Sequence, residues 1–126
     1  MKNLLIIDDQ PAIGKVLRTQ FQKEYFITVK SDGREGLRWL EEGNETDVII
    51  TDLNMPFLNG KEFLKITKAS NLYSDIPVII LSGSDSSTER IQCLDLGADD
   101  FMIKPFNPME VHAKVNAILR RTRRAS

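Results

Sequence analysis

Four apolar runs in the chain each end at a polar residue able to do chemistry. Leu4–Ile7 leads into Asp8-Asp9, Val48–Thr51 into Asp52, Val78–Leu81 into Ser82-Gly83-Ser84, and Phe101–Ile103 into Lys104-Pro105-Phe106. Three carboxylates brought into one crevice repel each other and raise at least one pKa. A hard divalent cation relieves that repulsion. Oxygen ligands in this number suit Mg2+, which keeps several waters and shares a phosphate oxygen with its substrate. A hydroxyl and an ammonium beside the acids supply what a phosphoryl group needs, because its transfer rests on in-line positioning and on neutralising spread charge. A carboxylate can serve as the nucleophile, giving an acyl phosphate. Each residue alone has an ordinary explanation. Strand-end aspartates cap helices, Asp9 above all; Ser-Gly is common turn chemistry; a lone lysine is usually solvated. Their joint placement is the informative feature.

That placement depends on the elements between. With Phe26–Val29 the apolar runs number five, and their starts lie roughly two dozen residues apart, with helical periodicity between them. The alternation predicts βαβ units and a parallel sheet. Runs one, three and four are continuously apolar, as strands covered by helices on both faces should be. Helix one starts near Pro11, with Ile13, Val16, Leu17 and Phe21 on one stripe. Helix two follows Ser31-Asp32, with Leu37 and Leu40 facing in and Gly36 inside it, where a close approach of helix to sheet would explain the glycine. Helix three begins at Gly60-Lys61, with Phe63, Leu64 and Ile66 apolar. Helix four follows Ser86, which reads with Glu89 as a capping box. Helix five opens with Asn107 as cap, Pro108 in the first turn and Glu110 in third position, and carries Val111, Val115, Ile118 and Leu119. Five strands and five helices predict an α/β, doubly wound, five-stranded parallel sheet of order 2-1-3-4-5, the flavodoxin-like (βα)5 arrangement. In such sheets ligands bind beyond the carboxyl ends of the strands, at the switch point between strands one and three.

Composition bounds the reading. The chain of 126 residues has room for one domain, and 41% hydrophobic with 28% charged residues excludes a disordered or fibrous chain. The single cysteine, Cys93, excludes an intramolecular disulfide and a multi-cysteine zinc site. No run approaches the ~20 apolar residues of a membrane span, and MKNLLIIDD meets acids too soon for a signal peptide, so the cytoplasm is the expected compartment. The net charge of −1 conceals an asymmetry. RRTRRAS at the end carries four arginines, and the rest has 13 bases against 18 acids. Cations suit a helix C-terminus, so a solvated helix end is the preferred reading over a nucleic-acid patch.

The residues also resemble the receiver domain of two-component response regulators, the chemotaxis-regulator-like family. The resemblance spans Lys2 to about Arg121 and rests on IIDDQ, TDLNMPFLNG, LSGS, GADDF and KPF in that order. It implies a receiver domain over residues 1–121 and a basic tail or linker start over 122–126. It implies that Asp52 is the phosphoacceptor, that Asp8, Asp9 and Asp52 with the backbone carbonyl of Asn54 hold Mg2+ or Mn2+, and that Ser82 and Lys104 meet the phosphoryl group. Ser82 and Phe101 would form the switch; Phe101 reads equally as an ordinary core aromatic and as a ring partly exposed before phosphorylation. Met55, Pro56 and Gly60 match the loop after the acceptor, and Pro105 the cis-proline position. Phenylalanine replaces the commoner tyrosine at 101, and Gly83 stands where alanine is frequent.

The implied function is a signalling switch, not a metabolic enzyme. A sensor histidine kinase or histidine phosphotransfer protein would phosphorylate Asp52, and the face built from helix four, strand five and helix five would bind a partner or a second copy. Nucleic acid would enter only through an effector domain following Ser126, and no membrane is involved. A phosphatase of the haloacid dehalogenase class needs a second acid two residues beyond the first; Gln10 follows Asp8 and Pro11 follows Asp9 at that spacing. An FMN protein needs a hydroxyl- and glycine-rich loop where DDQPAIG stands. A degenerate receiver used only for binding would not need Asp8, Asp9, Asp52, Ser82 and Lys104 all intact. His112 and Cys93 read as half-buried structural residues.

Overall fold

The structure is a computed structural model describing the backbone of residues 1–125 and the side chains of residues 1–122. Strands β1 (Lys2–Ile7), β2 (Tyr25–Lys30), β3 (Val48–Asp52), β4 (Val78–Ser82) and β5 (Asp100–Ile103) alternate with helices α1 (Pro11–Phe21), α2 (Gly33–Glu41), α3 (Gly60–Ala69), α4 (Ser87–Asp95) and α5 (Pro108–Ala125). All strand pairs are parallel, in the order β2-β1-β3-β4-β5. The strands outrun the apolar runs at their ends, so Asp52 and Ser82 are the last residues of their strands and both are buried.

Side-chain alternation along each strand divides the core in two. Leu4, Ile6, Ile50, Ile79 and Met102 face α1 and α5, where they meet Leu17, Phe21, Val111, Val115 and Ile118. Leu5, Ile7, Ile49, Ile80 and Phe101 face the other layer, with Leu40, Phe63, Leu64 and Cys93. Burying both faces of the central strands is what permits their unbroken apolar runs. Gly36 lies against this second layer; a Cβ there would strike the side chain of Ile7, so glycine lets α2 close onto β1.

Two local expectations are corrected. Val16, expected on the apolar stripe of α1, is 41% exposed. Val16 lies about 100° round the helix from Leu17, and α1 instead buries Gly14 against Val29. Ser86 accepts from the Glu89 N–H at 3.3 Å, but the return bond is missing and Glu89 Oε2 is buried without a hydrogen-bond partner among the described residues. The reciprocal box closes α3 instead: Asn59 Oδ1 accepts from Glu62 N–H at 2.9 Å, and Glu62 Oε1 from Asn59 N–H at 3.0 Å. Asn107 caps α5 as expected, accepting from Met109 N–H at 2.9 Å.

The α5 backbone continues to Ala125. The side chains of Arg123 and Arg124, half of the expected basic end, lie outside the described residues, as does Ser126. Among the described residues no helix is long and apolar enough to cross a membrane.

Candidate functional site

The carboxyl ends of β1, β3, β4 and β5 form one edge of the sheet, and register aligns them there. Ile7 pairs with Thr51, Asp52 with Leu81, and Ser82 with Ile103. The residues that follow therefore emerge side by side. Asp8, Asp9 and Asp52 each place a carboxylate oxygen within 4.8 Å of the other two. Asp8 and Asp52 are buried, while Asp9 is exposed. Asp9 caps nothing at α1: the residue at the cap is Gln10, and its side chain makes no capping bond.

Lys104 reaches across from β5 to this cluster. Its Nζ lies 3.0 Å from Asp8 Oδ2 and 3.2 Å from Asp52 Oδ1, and it donates to Gln10 Oε1 at 3.2 Å. Asp8 Oδ1 accepts the Gln10 N–H at 2.9 Å, which fixes the carboxylate on its other side. The Asp52 carboxyl is held above the usual carboxylate range, first by burial and then by the charge of Asp8, with Asp9 adding a little. Lys104 pulls in the opposite direction through its charge and hydrogen bond without reversing the outcome.

The backbone beneath Asp52 is tightly bound. Leu53 N–H donates to Leu81 O at 2.8 Å and Gly60 N–H to Leu53 O at 2.8 Å. A Cβ on Gly60 would lie 2.5 Å from Asp52 O and 2.9 Å from Leu53 Cα, so this position requires glycine for close approach. Between them the loop carries Asn54 and Pro56 exposed and Met55 half-buried against the second core layer. Phe57 in that loop has φ of +68°, a left-handed conformation unusual for a bulky residue, with its ring 4.2 Å beneath the Arg34 guanidinium.

Ser82 is fully buried; its Oγ accepts the Ser84 N–H at 3.1 Å, and its carbonyl accepts the Lys104 N–H at 2.7 Å. The Lys104–Pro105 peptide is cis. Phe101 is 8% exposed and packed in the second core layer, so of its two readings the structure shows the core aromatic and not the partly exposed ring. His112 is half-buried between α1 and α5, 2.9 Å from Gln20 Nε2 and 3.2 Å from Glu24 Oε2. Cys93 is buried, and burial pushes its thiol pKa up despite Lys61 nearby. Neither belongs to the site.

The structure thus gathers Asp8, Asp9, Asp52 and Lys104 directly and sets Ser82 on the adjoining strand end. The donor set is made of hard oxygens, two of them buried and poorly neutralised, and this fits Mg2+ or Mn2+. The sequence reading gave Gln10 no part in the site. Its signal was a glutamine, a poor helix cap, in the cap position directly after an acidic pair.

The family model described as the response regulator receiver domain matches residues 4–116. The chain is 38% identical over 126 residues to the probable transcriptional regulator ycf27 of Guillardia theta, covering 99% of this chain and 48% of that protein. It is 37% identical over 122 residues to the alkaline phosphatase synthesis transcriptional regulatory protein PhoP of Bacillus subtilis, covering 96% and 50%. The chain therefore spans about half the length of these curated relatives. Among solved structures, the receiver domain of the Francisella response regulator 1452 is 37% identical with a TM-score of 0.88, covering 97% of this chain and 99% of that one. A CheY-like receiver domain protein from Methanospirillum hungatei is 26% identical with a TM-score of 0.90, over 100% and 99% of the two chains.

Proposed function

The chain belongs to the response regulator receiver domain family, and from that premise we propose that it is a phosphorylation-activated switch with Asp52 as acceptor. One observation carries the proposal: Asp8, Asp9, Asp52 and Lys104, from three strand ends, converge on one point. A carboxylate oxygen of Asp52 attacks phosphorus. The P–N bond of a phosphohistidine on a sensor kinase or phosphotransfer protein breaks, and the released imidazole takes a proton from solvent. The new Asp52 acyl phosphate returns to aspartate by hydrolysis. Asp8, Asp9, Asp52 and the Asn54 carbonyl would hold Mg2+ or Mn2+, which supplies charge neutralisation to the phosphoryl oxygens when bound.

Lys104 pairs with the phosphoryl group, and the Ser82 hydroxyl donates to it while its oxygen accepts the Ser84 N–H. The buried Phe101 ring supports a switch in which Ser82 and its loop do most of the moving. The rearrangement is read out on α4, β5 and α5, by a partner protein or a second copy. Residues 1–121 would be the receiver and 122–126 a basic tail or the start of a linker. An effector domain beyond Ser126 would be the route to nucleic acid, and the expected compartment is the cytoplasm.

The test is labelling by a small acyl phosphate in the presence of Mg2+. The parent chain incorporates one phosphoryl group and Asp52→Asn incorporates none. Labelling of Asp52→Asn at the parent rate overturns the assignment.

A further inference from the structure

The Lys104 ammonium has three protons and meets three acceptors: Asp8 Oδ2 at 3.0 Å, Asp52 Oδ1 at 3.2 Å and Gln10 Oε1 at 3.2 Å. Before any phosphoryl group arrives, the ammonium is thus engaged by two hydrogen bonds, to Asp8 and Gln10, and by an ion pair with Asp52. Two of the acceptors are carboxylates, whose charge-assisted bonds are the stronger; the Gln10 amide is neutral and its bond the weakest. Gln10 also occupies the cap position of α1 without capping it, and the side chain at that position is exposed. The contact it makes is with Lys104, and its backbone N–H holds Asp8 independently of what the side chain is.

We infer that Gln10 is a positioning residue that holds the third proton of Lys104 and releases it to the incoming phosphoryl group, setting the rate at which Asp52 is phosphorylated. This rests on the receiver reading above. A side chain that cannot accept leaves that proton free in advance. Since one hydrogen bond of this kind shifts an equilibrium by about three- to tenfold, labelling should accelerate by that factor. A carboxylate at position 10 holds Lys104 more tightly and adds negative charge beside the phosphoryl group, so it should slow labelling by a similar factor.

The experiment compares the full chain with Gln10→Leu, Gln10→Asn and Gln10→Glu, using a small acyl phosphate at saturating Mg2+. The expected order of rates is Leu and Asn above the parent and Glu below it, with urea midpoints of Leu and Asn matching the parent. The second readout needs no phosphodonor. In protein labelled with 15N-lysine, the Lys104 ammonium protons should exchange with water faster in Gln10→Leu and Gln10→Asn than in the parent. Leu and Asn rates at or below the parent, or unchanged ammonium exchange, overturn the inference. Failure of the parent to be labelled overturns the receiver reading itself. Labelling on Asp52 with rates indifferent to position 10 leaves that reading standing and removes only this one.

Discussion

Replacing Lys104 by methionine keeps most of the unbranched side chain, one atom shorter, and removes its charge. Nζ sits 3.0 Å from Asp8 Oδ2 and 3.2 Å from Asp52 Oδ1, and the Asp8 and Asp52 side chains are only 0% and 8% exposed. Removing one partner of a buried ion pair costs about 3–5 kcal/mol because it strands the other charge. Here the stranded charges are two carboxylates with Asp9 beside them, but they lie at a sheet edge that water reaches, so about 2–3 kcal/mol is expected at pH 7 without Mg2+. With a urea slope of roughly 1–3 kcal/mol/M for a small domain, the midpoint should fall by about 1–2 M. The loss should depend on pH. Asp52 is already held above the usual carboxylate range, and loss of Lys104, which pulls it down, raises it further. The penalty is then largest where all three acids are ionised and fades as pH falls through the carboxylate range. Millimolar Mg2+ at pH 7 should restore most of the difference. The assay is urea unfolding at pH 7 and pH 4.5, with and without Mg2+. A loss of equal size at both pH values, or one below about 0.5 kcal/mol at pH 7, would refute the view that Lys104 holds these acids together.

Two further outcomes test neighbouring parts of the site. A raised folded-state pKa at Asp52 means that its contribution is fully present below its unfolded value and is lost as pH rises through the folded one. Without Mg2+, the parent should therefore lose stability from about pH 4 towards neutrality relative to Asp52→Asn; parallel unfolding profiles across that range would contradict this. Gly60→Ala sets a Cβ 2.5 Å from Asp52 O and should cost about 2 kcal/mol by overpacking. It should also slow acyl phosphate labelling, because the displaced atoms are those of Asp52 itself; unfolding and labelling rates measured on the same preparation check both, and an unchanged labelling rate would separate the glycine from the site.

The legible parts of this molecule are those governed by period and by position in the chain. The unbroken runs at Leu4–Ile7 and Val48–Thr51 declare strands covered on both sides, and the polar residue after each run declares the site. Helix faces are less legible. Val16 and Ile66 are apolar yet exposed, since a helix seated on a sheet buries a narrower stripe than its apolar residues suggest, and α1 spends part of that stripe on Gly14. The capping box shows the limit of motif spacing. Ser86 with Glu89 and Asn59 with Glu62 have the same separation, but only the second pair makes both bonds. Gln10 was illegible for another reason. Its partner stands 94 residues away, just past β5, and no local pattern announces that an amide will meet that ammonium.

The charge balance of the site gives it a direction. Three carboxylates and one ammonium leave the cluster two negative charges in excess, within a fold that buries two of the acids. Such a cluster is unstable at rest in a specific way: it favours whatever brings positive charge, and the position left for it is among the oxygens Lys104 does not hold. A divalent cation balances the excess. In the proposed switch, phosphorylation of Asp52 would then exchange one carboxylate charge for a phosphoryl dianion and leave the site negative again by about one charge. That residue of charge would be met by groups around the site, and the Ser82 hydroxyl on the adjoining strand end accepts the Ser84 N–H of its own loop. Ser82 Oγ can keep accepting that N–H while its O–H turns to the phosphoryl group, so the β4–α4 loop would follow the hydroxyl. In the proposed switch this one hydroxyl, accepting from its own loop and donating to the phosphoryl group, is the tie between chemistry at Asp52 and the β4–α4 loop.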